Sequence, residues 1–477
     1  MFADSGLLSP GWASTGIDDL LDDRAWLTAM IRVEEALARA QARIGMVPPA
    51  TASALAEVDA DAFDWPDLVA GVRATGNPTV GFVAQLSGIV AGIDPEAADF
   101  VHRGSTSQDI LDTATMLICH EVLGRVLDDL RRTADALAGL AREHRDTPMA
   151  GRTLTQHAVP ITFGLKAAGW LNAVLDAVDR LDHLRSHGLP VSLGGAAGTL
   201  AAYQEFTETD SLDLVEHLAA DLGLTAPLIP WHGARLPIVD VANALSLVTG
   251  TLGKFAADVE VLTRTEIGEL AEPAAPGRGA SSAMPQKRNP VHATAVLTAA
   301  RQVPALVSVL HQCMVVPDER SAGGWHAEWQ PLREALRLAA GAARNASDLA
   351  SGLTVFPEKM RDNLALTGGA IVSERLSAVL TPLLGRIAAK KIMTEVTATA
   401  GDTAEVLVRQ LHARGHDSDP ARWRDLCDPA SYLGASSRLV DRVLDRHLTA
   451  WRPSIPDRRG GGAGPADPGG PPDPGSA

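Results

Sequence analysis

From Val239 to about Leu270 the sequence is apolar over most of its length, broken only by scattered charges. A helix that long with so little polar surface must be buried on several sides. No single flanking segment can cover it, so the stretch restricts the chain to a bundle of long helices and favours a bundle built from more than one copy of the chain. Other segments supply partners. Asp22 to Ile44 has Trp26, Met30, Val33 and Leu37 at helical spacing, with Arg24, Arg32, Glu34 and Arg39 mainly on other faces. Long helices are also expected from the His102–Asp109 phrase to about Glu143, from Ile161 to about Ser186, from Asn289 to Val315 and from His326 to Ser351. Only 4% of the residues are aromatic while Ala abounds, which suits close helix packing. The expected fold class is all-α: a long-helix bundle core over residues 101–353, flanked by smaller helical domains at 1–100 and 354–454. The Gly/Pro-rich tail at 455–477 has almost nothing to bury and is expected to be disordered.

A formal net charge of −16 argues against nucleic acid or an anionic membrane surface as partner, because phosphate binding needs a cationic footprint. A small anionic substrate remains possible wherever Arg and Lys cluster locally. No uninterrupted apolar run of bilayer length is evident, and Met1–Pro10 has no basic segment leading into an apolar one, so a cytoplasmic protein is expected. Cys119, Cys313 and Cys427 are widely spaced and odd in number, which suits a reducing compartment and fits no zinc spacing. Glu266, Glu269 and Glu272, taken as one helix, read as a solvated face or helix-end cluster. Neither a metal nor a cofactor is expected.

Polar, turn-forming loops interrupt the helices. Gly279–Pro290 carries Ser281, which could act as a base, and Lys287 and Asn289, which could hold a carboxylate; it could equally be a Pro-bounded linker with a solvated Lys-Arg pair. His102–Asp109 sets Arg103 beside Ser105, Thr106 and Ser107 at a helix start. One hydroxyl suffices for an N-cap, and three with an Arg make a carboxylate cradle. Ala150–Pro160, with Thr153 and Gln156, is a third such loop. Arg73–Thr79 reads as a surface loop or a substrate-facing wall, Gly194–Thr199 as structural, and Pro230–Arg235 and Pro317–Gly324 as further breaks.

The loop at 279–290 resembles the G-S-S-x-M-P-x-K-x-N-P signature of the fumarase/aspartase superfamily, and the three polar loops match its three signature regions across about residues 20–450. The resemblance implies homotetramers whose active sites are each assembled from loops of three subunits. It implies proton abstraction beside a carboxylate of a small polycarboxylate, an aci-carboxylate intermediate, and departure of a group from the next carbon. Ser281 would be the base, Lys287 and Asn289 would hold the intermediate, and Ser105, Thr106, Ser107, Thr153 and Gln156 would bind the rest, with Arg73, Arg103, Arg235 and Arg320 as further anion contacts. The phrases His102–Asp109, Gln156–Pro160 and Trp325–Trp329 are most similar to the 3-carboxy-cis,cis-muconate cycloisomerase branch.

Leu154 stands where fumarases, argininosuccinate lyases and adenylosuccinate lyases have His. An apolar side chain cannot protonate a leaving group, so the resemblance points to a leaving group that is already a stable anion. Elimination of nitrite from nitrosuccinate to give fumarate comes first, and cycloisomerisation is the alternative. His157, as a replacement acid, keeps amine-releasing lyases as a third reading, beside an inactive scaffold of the same fold. Ala280, Gln286 and the weakly polar Gly233–Pro237 are smaller departures from the branch.

Overall fold

A computed structural model describes residues 6–399, 401–416 and 419–450; the tail expected to be disordered lies outside the described residues. Helix α1 (Asp23–Arg43) starts where Asp22 accepts the Ala25 N–H at 2.7 Å. Helix α2 (Trp65–Thr75) starts on Asp64 with Pro66 in its first turn and stops at Gly76, whose φ of 79° is left-handed. Helix α3 (Thr79–Ile93) follows. The long elements are α4 (Ser107–Glu143), α5 (Phe163–His187), α6 (Leu236–Leu262), α7 (Val291–Gln312) and α8 (Gly324–Ser351), which pack into one bundle.

One continuous core runs from Trp12 to Leu444 and includes α1 and α3, so the N-terminal helices are a layer on the bundle. The leading segment lies directly over α8. A Cβ added at Gly341 would come within 2.2 Å of the Gly11 carbonyl oxygen, which explains why no larger residue stands there. A second, smaller core gathers Leu364, Leu376, Leu380, Ile392, Leu407 and Trp423, and takes in Ala150 from the bundle side. It contains α9 (Ser373–Leu384) and α10 (Arg386–Ala398). The last described helix, α11 (Ser436–Ala450), returns to pack on α4 and α5.

Three expectations need correction. The helix expected to reach Leu270 ends at Leu262. The exposed Arg264-Thr265-Glu266 turn breaks it, Gly268 adopts φ 59°, and β3 (Leu270–Ala271) pairs antiparallel with β4 (Thr354–Val355). Glu269 is accordingly no member of a solvated helix face, being fully buried. The polar loop at 150–160 is a β-hairpin of β1 (Pro148–Thr153) and β2 (Gln156–Thr162), closed by Leu154 and Thr155 at φ 49° and 72°, the double positive-φ turn that matches strand twist. Finally, α6 and α7 are each long and apolar enough to cross a bilayer by length and composition, with a mean hydropathy of 1.4. Scattered charges such as Asp240 and Lys254 hide α6 from a search for uninterrupted runs. Both helices pack against one another and against α8, and 50% and 39% of their apolar windows are buried within the single chain.

Candidate active site

The N-terminus of α4 is the best-ordered polar centre. Thr106 is its N-cap, and Asp109, three residues on, accepts the Thr106 N–H at 3.1 Å. The buried Asp109 carboxylate also accepts the Gly194 and Gly195 N–H groups at 2.8 and 3.0 Å, lies 2.8 Å from His232 Nε2, and receives the Tyr203 hydroxyl at 3.4 Å. One carboxylate thus ties four segments of chain together. Burying such a charge is costly unless it is hydrogen-bonded on all sides, as here. The glycine stretch read as structural therefore acts through its N–H groups.

Around this anchor the expected substrate hydroxyls differ in their freedom. Ser105 Oγ shares a 2.8 Å hydrogen bond with Tyr203 OH. Thr106 Oγ1 accepts from Arg320 Nη2 at 2.7 Å, while Arg320 also donates to Gln108 Oε1 at 3.1 Å and to the Ala196 carbonyl at 3.3 Å. Among the described residues the Ser107 hydroxyl has no partner. Arg103 stacks between the rings of Phe100 and Phe206 at 4.9 and 4.1 Å. His102 Nδ1 lies 2.6 Å from buried Glu34; burial lowers its pKa, but the Glu34 charge and hydrogen bond outweigh burial and raise it above the usual histidine value.

Arg235, expected on the substrate, is committed elsewhere. It is 3% exposed, its Nη1 and Nη2 donate to both Asp112 oxygens at 2.7 and 3.0 Å, and its Nε and Nη2 reach Glu328 at 3.0 and 2.7 Å. Trp325 Nε1 donates to the same Asp112 at 2.9 Å. Burial pushes the Glu328 carboxyl up despite the lowering pull of Arg235. This network couples α4, the start of α6 and the Trp325–Trp329 phrase, and leaves Arg235 nothing to offer a ligand. Arg73 is exposed and lines a separate, mainly apolar cavity of about 520 Å³ walled by Trp26, Trp65, Phe82 and Trp329.

The hairpin is fixed by Arg152, which donates to both oxygens of Glu269 at 3.0 and 2.7 Å, with Asn363 Nδ2 donating to the same carboxylate at 2.7 Å. Thr153 and Gln156 are exposed at the tip, and Leu154 between them is 96% exposed. His157 faces Arg152 across the ladder. Burial, and then the Arg152 charge, lower its pKa, so at neutral pH it is a neutral imidazole rather than a waiting proton donor. Glu272 reaches forward to accept the His292 and Ala293 N–H groups at 3.1 and 2.8 Å, capping α7.

The third region is a closed loop. Asn289 donates its N–H and its Nδ2 to the Gly279 carbonyl at 2.9 and 3.2 Å, and a Cβ at Gly279 (φ 65°) would lie 2.5 Å from the Asn289 carbonyl oxygen. Ser281 Oγ accepts the Met284 and Ala283 N–H groups at 3.2 and 3.4 Å, so backbone donors surround the oxygen expected to lose a proton. Lys287 is exposed beside it. No Asp or Glu occurs between Glu272 and Asp318, whereas Arg278, Lys287, Arg288 and Arg301 do, which gives the loop a positive field.

The structure brings Ser105, Thr106, Ser107 and Arg320 together, but not the three signature regions. The α4 N-terminus meets the 317–323 segment at one end of the bundle, while the 279–290 loop enters α7 at the other. At 1.5 Å rise per residue α7 alone separates them by about 33 Å. No small polycarboxylate spans that distance. Tyr203, His232 and Glu34 were not singled out as site residues from the sequence, since each lies tens of residues from its partner and no local spacing marks it.

Comparison with known proteins places this geometry. A lyase family model matches residues 18–305. Nitrosuccinate lyase from Streptomyces davaonensis is 53% identical over 451 residues, covering 92% of this chain and 94% of that protein. A 3-carboxy-cis,cis-muconate cycloisomerase from Pseudomonas aeruginosa is 42% identical over 435 residues, covering 90% and 93%. The crystal structure of 3-carboxy-cis,cis-muconate lactonizing enzyme from Pseudomonas putida superposes with a TM-score of 0.86 at 37% identity, covering 93% of this chain and 99% of that one. With its signature loops in place on a shared helical bundle, the chain belongs to the lyase family of the fumarase/aspartase superfamily and is an enzyme of that superfamily.

Proposed function

We propose that this enzyme eliminates nitrite from nitrosuccinate to give fumarate. The observation that carries the reading is the 53% identity to a nitrosuccinate lyase over 92% of the chain, against 42% for a cycloisomerase. Ser281 takes the proton beside a carboxylate, the C–H electron pair becomes the new C=C bond, and the C–N bond breaks with its pair leaving as nitrite. Lys287 and Asn289 hold the doubly charged intermediate, where preorganised donors act on charge that develops only during reaction. Thr153, Gln156, Ser107 and Arg320 grip the remaining carboxylate, and Arg103 is a further contact. Leu154 at the hairpin tip offers no proton, and nitrite needs none.

The separation of the signature regions supports a homotetramer in which the 279–290 loop of one copy meets the α4 N-terminus and the hairpin of others. Half-covered α6 and α7 and the bare Leu154 tip fit that assembly. Three free, buried cysteines fit a reducing compartment, the cytoplasm. The second reading is cycloisomerisation, favoured by the TM-score of 0.86 to the lactonizing enzyme. A series of 2-substituted succinates tests the acid-free mechanism: rates follow leaving-anion stability, with nitrite fast and ammonia or water scarcely released. Rapid ammonia release from aspartate overturns it.

A further inference from the structure

We infer that the C-terminal helical unit carries a second anion-binding site, in the cleft between α9 and α10, for a small oxyanion such as phosphate or a dicarboxylate. The cleft has a volume of about 400 Å³ and is lined by Ser373, Ser377 and Thr381 from one helix and by Arg386, Lys390 and Thr394 from the other. Its lining contains two cations, several hydroxyls and no carboxylate. In a chain of net charge −16, such a concentration of unopposed positive charge is out of keeping with the rest of the surface.

The neighbouring acids are turned away from it. Glu395 is taken by Arg414 at 2.7 Å, and Glu374 accepts from Tyr432 OH at 3.2 Å. Among the described residues neither Arg386 nor Lys390 has an ion-pair partner. They stand four residues apart, hence one above the other on a single face of α10. Arg386 is also the first residue of a helix whose N-cap, Gly385, supplies no side chain, so its charge adds to the positive end of the helix where an acid would ordinarily sit. An oxyanion between Arg386 and Lys390 relieves that repulsion. The hydroxyls of Thr381 and Thr394 already donate to the Ser377 and Lys390 carbonyls, and they keep lone pairs free for a protonated oxygen or a water of the ligand. Buried Ala389 beneath the cations leaves the floor open.

The position gives such a ligand a route to the reaction. The short turn Ala370–Val372 that leads into α9 packs against β2, the strand that begins at Gln156. Occupancy of the cleft therefore acts on the element that carries the hairpin tip.

Calorimetric titration of the full-length protein tests the site, with inorganic phosphate in one arm and fumarate in the other. The Arg386→Ala/Lys390→Ala protein changes only exposed side chains, and its circular dichroism should match that of the parent. Phosphate should bind the parent and the Ser281→Ala protein alike, and at least tenfold more weakly to the double variant. Fumarate should show one site fewer per chain in the double variant than in the parent if dicarboxylates share the cleft, and the same number if phosphate alone uses it. Equal phosphate and fumarate binding by parent and double variant, or no binding by the parent in either arm, overturns the proposal. The phosphate arm does not depend on the elimination chemistry, so failure of the nitrosuccinate reading leaves this outcome unaffected.

Discussion

Replacing Arg235 by Met separates a structural role from a ligand role at one position. In the parent the guanidinium answers two carboxylates at once, each 2% exposed, through four hydrogen bonds of 2.7 to 3.0 Å. Met fills most of the volume but leaves Asp112 with Trp325 and Glu328 with no charged partner. Breaking a buried ion pair by removing one member costs about 3–5 kcal/mol, a large share of the roughly 5–15 kcal/mol that holds a domain folded. The loss should depend on pH. Burial already raises the Glu328 carboxyl, and without Arg235 nothing opposes it. A carboxyl with a raised folded pKa favours folding most when protonated, so the variant's deficit should shrink as pH falls and grow as pH rises through that pKa. Urea unfolding followed by circular dichroism at two pH values reads both effects, and Asp112→Asn/Glu328→Gln in the Met background should recover much of the loss. Unchanged stability together with a selectively raised KM would refute the argument and return Arg235 to the substrate.

Three further outcomes are expected. Ser281→Ala should lower turnover by about a hundred- to ten-thousand-fold, while fumarate binding by equilibrium dialysis stays within a few-fold of the parent; ordinary turnover with intact assembly removes Ser281 from the mechanism. Mixing inactive Ser281→Ala protein with a protein inactivated at Ser107 should restore partial activity after subunit exchange, and demonstrated mixed tetramers without activity count against shared sites. Glu34→Gln should drop the pKa of His102 below 6.5, because burial alone remains. The parent's His102 contribution to stability, full below 6.5 and lost as pH rises through its raised value, should then vanish, as histidine-selective NMR titration and unfolding at matched pH will report.

The helices were legible because their apolar residues recur at helical spacing over many turns, and their observed ends fall within a few residues of the sequence reading except at Leu262. That end was hidden because what stops α6 is tertiary: Glu269 is drawn inward by Arg152 and Asn363, more than 90 residues away on either side. The hairpin was hidden because its tip residues are polar and strand-neutral, and only the fold shows Leu154 and Thr155 at positive φ. Ser281, Lys287 and Asn289 were legible from a contiguous motif. Arg235 was misread because residue type alone does not tell a cation facing solvent from one enclosed by Asp112 and Glu328. Tyr203 and His232 went unnoticed for the same reason, since Asp109 binds both across about a hundred residues of sequence.

The central claim is the identity of the leaving group, and purified enzyme offered nitrosuccinate and 3-carboxy-cis,cis-muconate side by side tests it most directly. Ultraviolet absorbance follows fumarate formation in one cuvette and muconate loss in the other, with nitrite assayed in parallel. The account predicts rapid fumarate production with one nitrite per fumarate, abolished in Ser281→Ala, and slow or no loss of the muconate. Rapid muconate cyclisation with no nitrite released from nitrosuccinate would contradict it.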